Sequence, residues 1–402
     1  MKVKKYLLFG IIAIAFIFLI YSFVFSSEVS YKNISGAAIT TIVEKKVKHI
    51  DTPKSLKAIY ITQCVAGTSS FRNKVVDLID ETEINAIVID IKDYTGTVSF
   101  ITGNDEIDKL GGSGCKVSDM KDFVDLLHNK NIYVIGRVTV FQDPLYAKAH
   151  PELAVKRKSD GGIWKDRKGI SFIDVGAKPF WDYIISISTA SYDIGFDEIN
   201  YDYIRFPSDG DMKDVYFSYT GTTTKKEMLL KFFEYLDYKI ADTGIITSAD
   251  LFGMTTTNTD DLNIGQVLEY ALLNFDYVAP MVYPSHYPPT FNGWPDPNKV
   301  PYEIVKFSMD AAVARNNFLK KEIASTTRYI NGQVVTFTPS EKLLKRINPL
   351  QLRPWLQDND YPVHYTPQMV RRQIQATYDA GLTSWMLWDP ANTYTKEALL
   401  PK

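Results

Sequence analysis

From residue 57 onward, short apolar runs that alternate with period two take turns with longer stretches whose apolar positions recur every three to four residues. The short runs predict eight strands, over 58–63, 86–93, 132–141, 196–206, 245–252, 277–283, 352–357 and 384–388. The longer stretches predict helices over 70–81, 117–130, 179–192, 225–243, 262–275, 301–315 and 367–380. Thr366-Pro367 is a good helix start, and Gly381 a good helix stop. Such alternation builds a parallel sheet from βαβ units. Eight units in one chain predict a single α/β domain over 56–395, a (β/α)8 TIM barrel. Residues 329–344 fall outside the pattern and predict a small insertion, a hairpin turning at Asn331-Gly332 followed by a short helix.

The N-terminus follows another pattern. Lys2, Lys4 and Lys5 precede an uncharged apolar run over 6–25. At ~1.5 Å rise per residue such a run spans about 30 Å, a bilayer core. It is longer than the apolar region of a cleaved signal peptide and lacks a clear small-x-small cleavage site. Residues 1–26 are therefore expected to be a membrane anchor or signal segment, with the lysines inside and the rest exported. If the segment is cleaved, the protein is secreted. Residues 27–55 are polar and aperiodic and predict a stalk.

The fourth strand carries the strongest chemical signal. In Phe196-Asp197-Glu198-Ile199-Asn200-Tyr201-Asp202-Tyr203-Ile204-Arg205-Phe206-Pro207, alternation puts Glu198, Asn200 and Asp202 on one face and Ile199, Tyr201 and Tyr203 on the other. Apolar groups outside and acids inside suit a catalytic barrel strand, and Pro207 is expected to end it. Acids recur on the inward phase of strands two, four, five and eight, as Asp90, Asp202, Asp250 and Asp389. Each alone reads as one half of an ion pair. Four at one mouth repel one another in a low-dielectric cleft, which points to chemistry.

Glycoside hydrolysis needs two carboxyl groups flanking the bond. Asp202 is the expected nucleophile or stabilising carboxylate, and Asp250 on the neighbouring strand the expected acid/base. Strands ~4.8 Å apart allow the ~5–5.5 Å separation of retaining chemistry. Arg137 or Arg205 is expected to hold Asp202 charged. Asp90 is a candidate third acid with Lys92 holding a partner ionised, or else the two form an internal pair. Glu198 is expected to brace the floor, with Asn200, Tyr283, Trp388 and Asp389 supporting the site. Two loops are candidate substrate walls. One, 285–299, carries His286 and Trp294; the other, 157–172, carries Trp164. Alternatively, these aromatics only pin the loops down.

Composition narrows the classes. A formal net charge of -2 over 402 residues argues against a nucleic-acid partner. The 5 His include no pair at a metal-ligand spacing, so neither a zinc hydrolase nor a metal-dependent deacetylase is predicted, and no cofactor is expected. The 2 Cys, Cys64 and Cys115, are compatible with one bridge in an exported domain, although sequence does not give their separation.

The runs Ile89-Asp90-Ile91-Lys92-Asp93-Tyr94-Thr95-Gly96, Arg137-Val138-Thr139-Val140-Phe141-Gln142-Asp143-Pro144, 196–207 and Ser248-Ala249-Asp250-Leu251-Phe252-Gly253 together resemble a bacterial family of glycoside-hydrolase barrels long carried as a domain of unknown function. The resemblance implies a TIM barrel of the wider glycosidase superfamily and names no substrate. Strand four also resembles the chitinase motif D-x-x-D-x-D-x-E, with Asp197 and Asp202 on its first and third acids. Asn200 replaces the second acid and Ile204 the catalytic Glu, so chitinase-type chemistry is not supported. The amylase-like superfamily is a better analogy, with its nucleophile on strand four and acid/base on strand five. Here, however, Asn200 stands where its Arg would be, and Asp250 where a Glu is usual. The expected function is an extracytoplasmic glycoside hydrolase acting on a polysaccharide or cell-envelope glycan. The alternative is an inactive surface barrel that binds glycans.

Overall fold

The computed structural model describes residues 47–324, 327–330, 333–336 and 339–402. The expected anchor over 1–26, the stalk as far as residue 46 and the turn at Asn331-Gly332 lie outside the described residues. Among the described residues, no helix is long and apolar enough to cross a membrane.

Eight parallel strands close into a barrel: β1 Lys57–Ile61, β2 Ala86–Lys92, β3 Tyr133–Thr139, β4 Glu198–Asp202, β5 Ile246–Phe252, β6 Tyr277–Met281, β7 Trp355–Gln357 and β8 Trp385–Trp388. Each pairs with its neighbours in chain order, and β1 closes the ring on β8. The connecting helices are α1 Ser69–Glu81, α2 Met120–Asn129, α3 Lys178–Asp193, α4 Lys225–Ile240, α5 Leu268–Asn274, α6 Pro301–Ala324 and α7 Pro367–Asp379. A 3-10 turn at Lys396–Ala398 follows β8.

Alternation along the strands creates two cores. Ala58, Tyr60, Ala86, Val88, Tyr133, Ile135 and Trp355 point inward and fill the barrel. Ile59, Ile61, Ile87, Ile89, Ile91, Ile199 and Tyr201 point outward, against the helices. Burying one such aliphatic side chain is worth ~1.5–3 kcal/mol, so a register slip of one residue would forfeit a whole face.

Helix ends follow local chemistry. Thr224 and Glu227 form a capping box at α4. Thr366 caps α7, Pro367 occupies its first turn, and Gly381 adopts φ +83 beyond its end. Helix α5 begins later than the expected 262, because Leu262 and Asn263 hold positive φ. Helix α6 runs nine residues past the expected 315, to Ala324. Beyond it, Thr327–Ile330 pairs antiparallel with Gln333–Thr336, and a short helix follows at Glu341–Arg346.

Three expectations require correction. Strand β4 ends at Asp202, not near Pro207, because Tyr203 takes φ +52 and breaks the alternation. Tyr203 consequently does not share the outer face with Ile199 and Tyr201. Residues 47–55 are not a free stalk. Ile50 N donates to Asp197 Oδ1 (2.7 Å), and Thr52 Oγ1 meets Tyr133 Oη at 3.0 Å, which straps this segment across the N-terminal face of the barrel.

Candidate active site

Register sets the floor of the site. Asp90 on β2 lies level with Arg137 on β3, Arg137 with Asn200 on β4, and Asn200 with Ser248 on β5. Arg137 is buried and spans two acids. Its Nη1 donates to Asp90 Oδ1 at 2.6 Å, its Nε donates to Asp202 Oδ2 at 3.0 Å, and its Nη2 also donates to Asp202 Oδ2. Its guanidinium lies 5.5 Å from the Tyr60 ring and 5.4 Å from the Trp388 ring. Tyr60 Oη donates to Asp90 Oδ2 at 2.5 Å. Burial pushes the Asp90 carboxyl up, while Arg137 and Tyr60 pull it down. Below this layer, Glu198 accepts from Arg353 Nη1 (2.8 Å) and Tyr133 Oη (3.1 Å).

The two carboxyls at the top of β4 and β5 stand in opposite settings. Asp202 is held by a cation, and its Oδ1 also accepts the Tyr203 N–H at 2.6 Å. The positive φ of Tyr203 turns that N–H back toward the side chain before it. Among the described residues, Asp250 meets only neutral donors, Asn200 Nδ2 at 2.9 Å and Trp355 Nε1 at 2.8 Å, both to Oδ1. Burial first, then the neighbouring Asp202, push the Asp250 carboxyl well above the usual carboxylate range, against opposing effects from Arg137 and the two donors. Continuing the β4–β5 register from Tyr201↔Ala249 by one residue brings Asp202 level with Asp250. Pairs of carboxyls whose environments separate their proton affinities are the usual basis of acid/base assignment.

The site opens as two adjoining cavities. One, of about 210 Å³, is lined by Asp202, Asp250, Phe252, Tyr283, His286 and Trp355, among others. The other, of about 640 Å³, runs toward β1–β3 past Gln63, Asp93, Tyr94 and Lys168. Arg137, Tyr203, Arg205 and Trp388 line both. Burial, then Asp250 and Asp202, raise the Tyr283 hydroxyl well above its ordinary value, so it stays a neutral donor.

The family model described as "Putative glycosyl hydrolase domain" matches residues 58–394. The chain belongs to that family. A hypothetical protein from Ruminiclostridium thermocellum is similar at 33% identity, covering 51% of this chain and 98% of its own, with a TM-score of 0.44. The PgaB (BpsB) glycoside hydrolase domain from Bordetella bronchiseptica is similar in fold at 13% identity and a TM-score of 0.56, covering 87% of this chain and 100% of its own. None of the curated proteins matches this chain.

Within this glycosyl hydrolase domain, several expected residues fall elsewhere. Lys92 does not face the mouth. A bulge between Asp90 and Lys92 places Lys92 level with Val138, an outer-face residue. There it is fully buried, 2.9 Å from Asp143, donates to Thr139 O, and lies 5.9 Å from the Phe180 ring. Neither an Asp90–Lys92 pair nor a role for Lys92 beside Asp202 survives. Gly136 admits the bulge, since a Cβ there would sit 1.9 Å from Ile91 Cδ1.

Trp294 packs its ring edge on Phe307 of α6 (5.8 Å), outside both cavities, and so pins its loop down. Trp164 is buried with Val155 and Phe172, its Nε1 donating to Asp211 O. Asp389 lines neither cavity; it accepts the Ala391 and Thr393 N–H groups (both 2.9 Å) and shapes the turn after β8. Arg205 lines the site but donates to Phe206 O and Ser208 Oγ, leaving Arg137 as the cation on Asp202.

Sequence reasoning missed Tyr60, Trp355 and Tyr203. The first two lie at inward positions of predicted strands, so alternation flags them as interior without marking them as polar partners. Tyr203 is hidden because only the turned backbone brings it to the mouth.

Proposed function

We propose that this domain is an extracytoplasmic glycoside hydrolase that cleaves a polysaccharide or cell-envelope glycan with Asp202 and Asp250. The contrast between these two carboxyls carries the reading: one is paired with Arg137, the other is buried among neutral donors, with its carboxyl pushed up by burial and by Asp202. Asp250 gives its proton to the glycosidic oxygen as the C1–O bond breaks, and Asp202 attacks C1 or stabilises the developing cation. Water then adds at C1, displacing the Asp202 carboxylate where it has bonded there, and gives a proton to Asp250. Adjacent strands at ~4.8 Å favour the close carboxyl spacing of retaining enzymes. Trp388 and Tyr203 offer aromatic faces to sugar rings where the two cavities meet. The bridge between Cys64 and Cys115 is consistent with an oxidising compartment, and the apolar run over 6–25 with attachment to a membrane.

Purified protein, Asp202→Asn and Asp250→Asn should be compared on a panel of polysaccharides and envelope glycans. Loss of product release in both folded variants, by roughly 10²-fold or more, is the expected result. Release that neither substitution affects would sink the assignment. Binding by all three proteins without release from any glycan would favour the inactive glycan-binding barrel. Because the acid form of Asp250 is required and its carboxyl is raised, activity should be lost as pH rises through that raised value.

A further inference from the structure

We propose that Trp355, with Asn200, is a positioning residue that confines the proton of Asp250 to Oδ2, the oxygen free to meet substrate. The inference rests on reading Asp250 as the acid. Both donors reach the same oxygen: Trp355 Nε1 lies 2.8 Å and Asn200 Nδ2 2.9 Å from Asp250 Oδ1. An indole N–H can only donate. Asn200 Nδ2 also donates to Ser248 Oγ at 3.0 Å. Two donors occupy the acceptor positions of Oδ1, so a proton there would oppose an N–H. Oδ2 has no hydrogen-bond partner among the described residues, and Asp250 lines the smaller cavity. The proton therefore sits on the oxygen turned to that cavity.

The arrangement is assembled from three strands. Asn200 comes from β4, Asp250 from β5 and Trp355 from β7, so the oxygen is fixed by barrel closure and not by a mobile loop. Trp355 is itself wedged edge-on against Trp388, with centroids 5.8 Å apart. The other charged or titratable groups facing Asp250 are Asp202 from β4, Arg137 from β3 and Tyr283 after β6, with Arg205 and His286 on the cavity wall. Trp355→Phe removes the indole N–H together with the pyrrole ring, whereas these groups stand on other parts of the barrel. A donor to a carboxyl favours its ionised form, so removing that donor raises the pKa.

The test is Trp355→Phe, with Asn200→Ala as a second variant, followed by NMR titration of protein labelled with 13C at the aspartate carboxyls. The resonance absent from Asp250→Asn identifies Asp250 without any substrate. In the wild type it should titrate above the ordinary carboxylate range, and in either variant at still higher pH. An unmoved titration in both folded variants would overturn the proposal. A wild-type resonance titrating in the ordinary range would instead defeat the reading of Asp250 as the acid, a separate result.

A kinetic arm uses any glycan that the panel shows to be cleaved, beside the 2,4-dinitrophenyl glycoside of the same sugar. Trp355→Phe should lose at least about tenfold in kcat on the glycan, whose leaving group needs the proton. Its loss on the activated glycoside, where acid assistance matters little, should be clearly smaller. Equal losses on both would assign Trp355 to packing alone and overturn the proposal.

Discussion

At the scale of single residues, Arg137 governs the site. It is the cation shared by two buried acids, Asp90 and Asp202. Arg137→Met would leave both acids buried without it, and breaking such a pair costs about 3–5 kcal/mol. The sign with pH follows from linkage. Burial already raises the Asp90 carboxyl against the opposing pull of Arg137, and without the arginine its folded-state pKa rises further. Stability is then intact below the unfolded pKa and lost as pH rises through the folded one. Urea denaturation should show a small deficit near pH 4 and the full deficit near pH 8. A deficit independent of pH would mean that Arg137 contributes packing, not charge. Asp202, Asp250, Asn200 and Glu198 were legible as inward groups because strict alternation specifies them. The partner of each acid was not, because which cation reaches which carboxylate depends on side-chain reach across the barrel.

At the scale of elements, the bulge in β2 decides what reaches the mouth. It keeps Asp90 inside and turns Lys92 to the helix layer, where Asp143 and Phe180 receive it. A pattern with period two cannot foresee an inserted residue, so Lys92 was placed on the wrong face. The loop between β6 and α6 makes the same point. Its aromatics split between roles: His286 lines the small cavity, while Tyr287 meets Ser308 Oγ at 2.8 Å, and Phe291 and Trp294 pack on Phe307. Trp294→Ala should therefore cost about 1–2 kcal/mol of stability and leave glycan affinity unchanged. Trp388→Ala should weaken glycan binding by roughly tenfold or more, about 1.4 kcal/mol. Calorimetric titration of the two variants with a bound oligosaccharide checks both; equal loss of affinity would return the loop to the substrate wall.

At the scale of the whole molecule, the disulfide joins distant pieces of one face. Cys64, just after β1, is bridged to Cys115, 51 residues away, in the connection before α2. Cys64 itself lines the larger cavity. Closing a loop of that length removes unfolded-state entropy worth about 4 kcal/mol in the chain-entropy model, and measured effects are typically 2–4 kcal/mol. The Cys64→Ser, Cys115→Ser double variant should lose stability of that order in urea denaturation. Wild-type protein unfolded with a thiol reductant should match it. An unchanged midpoint would show that the barrel alone holds the β1–β2 face.

The sequence by itself determined the eight strands and the inward faces that carry Asp90, Glu198, Asp202 and Asp250, because period-two and helical periods are local properties that burial enforces along the whole chain. It also determined the pairing of α7 with its caps, since Thr366, Pro367 and Gly381 act within a few bonds of the helix ends. Only the tertiary structure decided that Arg137 and not Arg205 holds Asp202, that Trp355 from β7 meets Asp250 from β5, and that Lys92 leaves the site. Those outcomes depend on distances between residues far apart in the chain, fixed when the barrel closes and a bulge shifts one register. The different settings of Asp202 and Asp250 are likewise properties of the closed barrel: two aspartates identical in covalent chemistry are made unlike by the neighbours that folding brings to them.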